Sequence, residues 1–154
     1  MRARIIMSFL LLASAACGGR NRPSTTPAAT AEYLTPYGPP TRPFSPAVRV
    51  GNLLYLSGQI GTADASSGTL VPGGIEAETR QTMENIKDVL LKSGSSMERV
   101  VKCTVMLADM REWDRMNVIY ATYFPKNKPA RSALGANGLA LGARVEIECW
   151  ATVG

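Results

Sequence analysis

Three rhythms of hydrophobic and polar residues organise the chain. Between Ile75 and Leu91 the apolar positions Ile75, Met83, Ile86 and Leu90, joined by Thr79, recur at intervals of three and four. That spacing predicts a helix with one apolar face, with Glu76, Arg80, Glu84, Lys87 and Asp88 left for solvent and Gly94 as a stop. A second helical stripe, Trp113, Met116, Tyr120 and Tyr123, follows the capping-box pair Asp109 and Glu112 and ends before Pro125. A Met and aromatic stripe at this interval reads as core, not as a cofactor pocket.

Elsewhere the period is two. In VVKCTVML, Val101, Cys103, Val105 and Leu107 share one predicted face, and Val100, Lys102, Thr104 and Met106 the other. In RVEIECWATV, Val145, Ile147, Cys149, Ala151 and Val153 oppose Arg144, Glu146, Glu148, Trp150 and Thr152. AVRVGNLLYLSG reads as two strands, 47–50 and 53–57, meeting at Gly51-Asn52. The predicted order is strand, strand, helix, strand, helix, strand, with an extra short strand near 132–136. Two helices can cover only one face of such a sheet. The bare face, carrying Lys102, Thr104, Met106, Glu146, Glu148 and Trp150, is too mixed for a core and too apolar for water, which predicts a homo-oligomer.

The third rhythm is confined to the start. MRARIIMSFLLLASAAC places Arg2 and Arg4 before an apolar run from Ile5 to Leu12, then small residues and Cys17, the anatomy of an export signal too short to be a stable membrane span. The ending Ser14-Ala15-Ala16-Cys17 resembles a bacterial lipobox, which implies lipidation of Cys17 and an exported, periplasmic or cell-envelope location; an ordinary signal peptide cut nearby is the plainer alternative. Residues 18–43, rich in Pro, Gly, Ser and Thr, show no period and predict a solvated, flexible tether. Residues 44–154 make one domain of about 110 residues.

Composition then narrows the chemistry. Removing Arg2 and Arg4 from the 17 basic residues leaves 15 against 12 acidic, a net charge of +3. No Lys/Arg stripe with interleaved aromatics is present, so nucleic acid is not an expected partner. The chain has no histidine and no CxxC pair, which excludes Ser-His-Asp triads, Cys-His nucleophiles and most zinc sites. Cys103 and Cys149 read as buried small hydrophobes, and an export route permits a disulfide between them. What remains is carboxylate, guanidinium, hydroxyl and backbone chemistry, with no metal or cofactor expected.

Arg131 stands among small residues just after Pro129, a setting that displays a guanidinium able to grip a carboxylate through two parallel hydrogen bonds. Its structural alternative is a loop cap or ion pair. Glu146 is placed to orient water, or to pair with Lys102 or Arg144 at an interface; Glu148 is read as interface or solvent.

The phrases AVRVGNLLYLSGQI, GGIEAETRQTMENIKDVL, VVKCTVMLADMREWDRMNVIYATYF and PARSALG…VEIE together resemble the RidA (YjgF/YER057c/UK114) family, from about residue 44 to the C-terminus. The resemblance implies an α+β, chorismate-mutase-like domain: a single mixed sheet with two helices on one face, forming a homotrimer with a small-molecule pocket in each inter-subunit cleft. It implies hydrolysis of reactive 2-imino acids and their enamine tautomers to 2-keto acid and ammonia. Arg131 would grip the substrate carboxylate and Glu146 hold the attacking water, while Ser57, Gly58 and Asn117 match further pocket positions. Two departures stand out: Phe44 where tyrosine is usual and Ala133 where cysteine is frequent. The competing expectation is a non-catalytic protein of this fold that binds or scavenges small carboxylates such as keto acids.

Overall fold

The computed structural model describes residues 28–39, 41–64 and 68–154. The export signal and Cys17 lie outside the described residues. The elements run β1 (Ala31–Leu34), β2 (Ala47–Val50), β3 (Leu53–Leu56), β4 (Gln59–Ile60), α1 (Gly74–Lys92), β5 (Val100–Leu107), α2 (Trp113–Thr122), β6 (Ala130–Gly135) and β7 (Val145–Thr152). All seven strands join one mixed sheet in the order β1-β2-β3-β7-β5-β6, with β4 paired to β7 beyond the end of β3.

The β2–β3 hairpin turns where expected, with Gly51 in the left-handed region at φ 60°, a conformation glycine adopts without steric cost. The strand after it ends at Leu56, one residue early, because the ladder breaks at Ser57-Gly58 before β4 resumes it. β5, α2 and β6 form a crossover unit, and β6 lies parallel to β5, from Lys102 opposite Ala130 to Leu107 opposite Gly135.

Both helices pack on the same face. Beneath them lie Leu54, Cys103, Val105, Leu107, Val145, Ile147, Cys149 and Ala151, all buried, against Ile75, Met83, Ile86 and Leu90 of α1 and Met116 and Tyr120 of α2. Cys103 and Cys149 are direct partners on adjacent antiparallel strands and are disulfide-bonded. The opposite face carries Lys102, Thr104, Met106, Glu146, Glu148 and Trp150, with Tyr55 packed edge-on against Trp150 at 5.0 Å; among the described residues no element covers it.

Three expectations need correction. Strict alternation put Val101 in the core and Val100 outside; a register shift between Val100 and Lys102 reverses them, so Val100 is buried and Val101 exposed. The composition of 18–43 predicts a tether, yet Ala31–Leu34 pair with β2 along its open edge, and Leu34 packs against the core. Main-chain hydrogen bonding to an available edge does not depend on side-chain composition. The capping box is also incomplete: the Asp109 carboxylate accepts from the Arg111 amide at 2.9 Å, while Glu112 turns to Arg144.

Candidate functional site

Arg131 lies on β6 opposite Cys103, so its side chain leaves the sheet on the helix-covered face, against α2. There the guanidinium carbon stands 5.1 Å from the centre of the Trp113 ring and 4.7 Å from that of Tyr120. Both distances are within reach of a cation–π attraction. Nη1 donates to Asn117 Oδ1 at 2.7 Å, which brings two sequence-predicted site residues together. Among the described residues no carboxylate pairs with this guanidinium. It borders a cavity of about 320 Å³ lined also by Asn117, Tyr120, Phe124, Lys128 and Pro129. Burial pushes the Tyr120 phenol up to about 12, partly offset by the nearby Arg131 charge, so the ring stays neutral beneath the cation. Ala133 follows Arg131 on the same face and packs against the core.

Glu146 lies on β7 opposite Met106 and Ile60 and projects from the bare face. Neither structural partner considered for it is engaged: Arg144 donates to Glu112 at 2.5 Å and its amide to Glu78 at 2.8 Å, and Lys102 donates to Ser132 at 2.7 Å. Among the described residues the Glu146 carboxylate makes no hydrogen bond or ion pair. Partial burial, and then the charge of Glu148, raise its pKa above the ordinary carboxylate value. A carboxylate in this condition is a better proton acceptor than one in open water.

Gly58 is what lets Glu146 lie where it does. A Cβ at residue 58 would fall 2.1 Å from Glu146 Oε1, a separation no side chain tolerates. Ser57 supports the same corner: its hydroxyl donates to the Ser45 carbonyl at 2.7 Å and its amide to the Pro46 carbonyl at 3.0 Å. That ties the corner to the segment bearing Phe44, whose ring is 47% exposed. Ser57, Gly58 and Glu146 thus form one cluster, and Arg131 with Asn117 another.

The two clusters do not meet within a chain. Arg131 and Glu146 point to opposite faces of the sheet, two strands and three residues apart, roughly 14 Å by ordinary strand spacing and rise. Sequence reasoning missed Glu78 and read Glu112 only as a capping residue. Both are buried acids that hold Arg144 at the start of β7. Neither announces itself in sequence, because a glutamate on a helix is usually solvated. No three His, Cys, Asp or Glu side chains converge among the described residues, and the groups gathered here are guanidinium, carboxylate, hydroxyl and amide.

The sequence profile of the family described as "Endoribonuclease L-PSP" matches residues 36–153. The chain belongs to this family, that of RidA. Mouse 2-iminobutanoate/2-iminopropanoate deaminase is 46% identical over 112 residues, covering 73% of this chain and 82% of the mouse protein. The chloroplastic Reactive Intermediate Deaminase A of Arabidopsis thaliana is 41% identical over 111 residues, covering 72% of this chain and 59% of that one. The crystal structure of RidA from an Antarctic Psychrobacter superposes with a TM-score of 0.70 at 34% identity, covering 79% of this chain and 98% of that RidA. The two-helix mixed sheet is therefore the RidA fold.

Proposed function

We propose that the chain is a hydrolytic deaminase of small 2-imino acids and their enamine tautomers, acting at a site completed between protomers of a homotrimer. The observation that carries this reading is the Arg131 guanidinium, shelved on two aromatic rings, hydrogen-bonded to Asn117 and, among the described residues, without a carboxylate partner. A substrate carboxylate fits that vacancy with two charge-assisted hydrogen bonds. The related deaminases act on imino acids that carry such a carboxylate.

Opposite sheet faces cannot serve one small substrate from a single chain. An inter-protomer cleft can, by setting one chain's Arg131 against its neighbour's Glu146, and it would also cover the bare face with its apolar Trp150 and Met106. In the reaction, Glu146 takes a proton from a water as the oxygen attacks C2 of the protonated imine. The proton then passes to nitrogen of the resulting carbinolamine; as the C–N bond breaks, the hydroxyl gives its proton to Glu146, which returns it to solvent, and ammonia and the 2-keto acid leave. Two fixed partners, Arg131 on the carboxylate and Glu146 on the water, set the attack geometry. An iminium carbon is electrophilic enough to need no more than positioning and proton transfer.

Phe44 and Ala133 support a second reading, a binder of small keto acids, since neither supplies the hydroxyl or thiol usual at these positions. Turnover separates the two. Freshly generated 2-iminopropanoate should yield ammonia and pyruvate faster with the protein than without, and Arg131→Ala should abolish the gain. Keto-acid binding by calorimetry with no acceleration selects the binder. Sedimentation of the native protein as a monomer would remove the composite site.

Export through a lipidated Cys17 is part of the same proposal. A buried disulfide between Cys103 and Cys149 supports it, because such bonds persist in oxidising compartments. Mass spectrometry of the membrane fraction tests it; a chain cut elsewhere and unmodified contradicts it.

A further inference from the structure

The cavity beside Arg131 is bordered by a second cation, to which the proposed reaction gives no part. Lys128, exposed at its mouth, lines the same space of about 320 Å³, and no acid does. The ion pairs among the described residues belong to Lys87, Lys92, Arg111, Arg115 and Arg144, so neither Lys128 nor Arg131 has a carboxylate partner there.

Local sequence places this lysine. α2 stops at Thr122, and Lys128 Nζ reaches back to the Phe124 carbonyl just beyond it, at 3.5 Å. Pro129 disfavours helical backbone at the residue before it and carries the chain out toward Ala130, where β6 begins. Both cations are thus held by neutral groups: Arg131 by two rings and the Asn117 amide oxygen, Lys128 by a carbonyl. A neutral acceptor fixes a cation's place without cancelling its charge. A cavity of this volume is on the order of one Debye length across at physiological salt, so the two potentials add where a ligand enters.

A lysine near a helix end is usually a cap on the last carbonyls. Here the bond is at the outer limit of hydrogen-bond distance, and capping does not account for a shared cavity with an unpaired arginine. We infer that Lys128 is a second anchor for anionic substrates, drawing the carboxylate into the cavity and passing it to the Arg131 fork. The inference rests on Arg131 as the carboxylate clamp of the deaminase reading. Arg131 fixes orientation through two parallel hydrogen bonds; Lys128, a point charge on a flexible stem, acts on capture.

Two variants of the full chain separate charge from capping. Lys128→Gln keeps a donor for the Phe124 carbonyl and removes the charge, whereas Lys128→Arg keeps the charge. With freshly generated 2-iminopropanoate, Lys128→Gln should raise KM about 5- to 20-fold and leave kcat within about twofold. The calorimetric Kd for pyruvate should rise by a similar factor. Raising NaCl from about 50 to 300 mM should lower kcat/KM of the natural chain more steeply than that of Lys128→Gln, and Lys128→Arg should follow the natural chain. Unchanged KM, Kd and salt slope in a Lys128→Gln protein whose circular dichroism matches the natural chain overturn the assignment and leave the deaminase reading intact. Pyruvate binding that depends on Lys128, without turnover by the natural chain, supports the assignment and removes the deaminase reading. Absence of both binding and turnover in the natural chain removes both.

Discussion

On the proposed reading, the two faces of the sheet serve one reaction in opposite ways. On the helix-covered side Arg131 is held before any ligand arrives, between Trp113 and Tyr120 and against Asn117. On the bare side Glu146 has no hydrogen-bond partner among the described residues, a glycine where a side chain would displace it, and a second carboxylate two residues on. A cation can be stored on aromatic faces at little cost in solvation, because the ring quadrupole replaces part of the lost water. A carboxylate has no such shelf. It stays reactive only by remaining unpartnered, and partial burial without a partner raises its proton affinity.

The comparison breaks most severely at the cation. Arg131→Ala should lower kcat/KM by roughly 10²- to 10⁴-fold, the loss of two charge-assisted hydrogen bonds. Arg131→Lys should recover little, since an ammonium cannot offer a planar fork. On the other face, Glu146→Gln should reduce kcat by about 10²-fold or more with a smaller change in KM, since it removes proton transfer and leaves the clamp. Gly58→Ala attacks the same carboxylate by displacement, and a drop in kcat of about 10- to 100-fold is expected. Steady-state kinetics on freshly made 2-iminopropanoate reads all four. A Gly58→Ala enzyme with unaltered kcat would show that the position of Glu146 is immaterial.

Much of this was legible in the chain. The 3.6-residue stripe of α1 and the alternation in β7 assigned the right residues to the core, because long periodic segments leave little freedom in which side faces inward. Alternation also listed the bare face correctly, from Lys102 to Trp150. It failed at Val100 and Val101, since a bulge is a property of two paired strands and is not written in either alone. For the site, a proline and small residues marked Arg131 as displayed, but nothing local showed that its shelf would be Trp113 and Tyr120, read there only as core. The parity of β6 was equally hidden. That strand is short and Gly/Ala-rich, so only its parallel register with β5 reveals that Arg131 and Glu146 point apart.

The disulfide joins the two regions, since β7 carries Glu146 and β5 lies in register with Arg131 on β6. Replacing Cys103 and Cys149 together by alanine should cost about 2–4 kcal/mol of stability. For a domain of this size that lowers Tm on the order of 10 °C. Differential scanning calorimetry of the natural chain and the double variant checks it. Unchanged melting would mean that the bond adds nothing to the packing of β5 on β7.

The smallest effect concerns proton affinity on the bare face. Glu146 must be ionised to accept a proton from water, and its folded pKa is raised, by partial burial first and by Glu148 second. The acid limb of the kcat profile should therefore lie above the ordinary glutamate value, with activity falling as pH drops through it. Glu148→Gln removes the second cause and leaves the first. The limb should move to lower pH, with the plateau at higher pH little changed, because the neutral amide no longer repels the ionised form of Glu146. A limb that stays in place would assign the shift to burial alone, and one that moves to higher pH would contradict repulsion between the two carboxylates. Arg131 offers the control: it lies on the other face, so Glu148→Gln should leave keto-acid binding as it was.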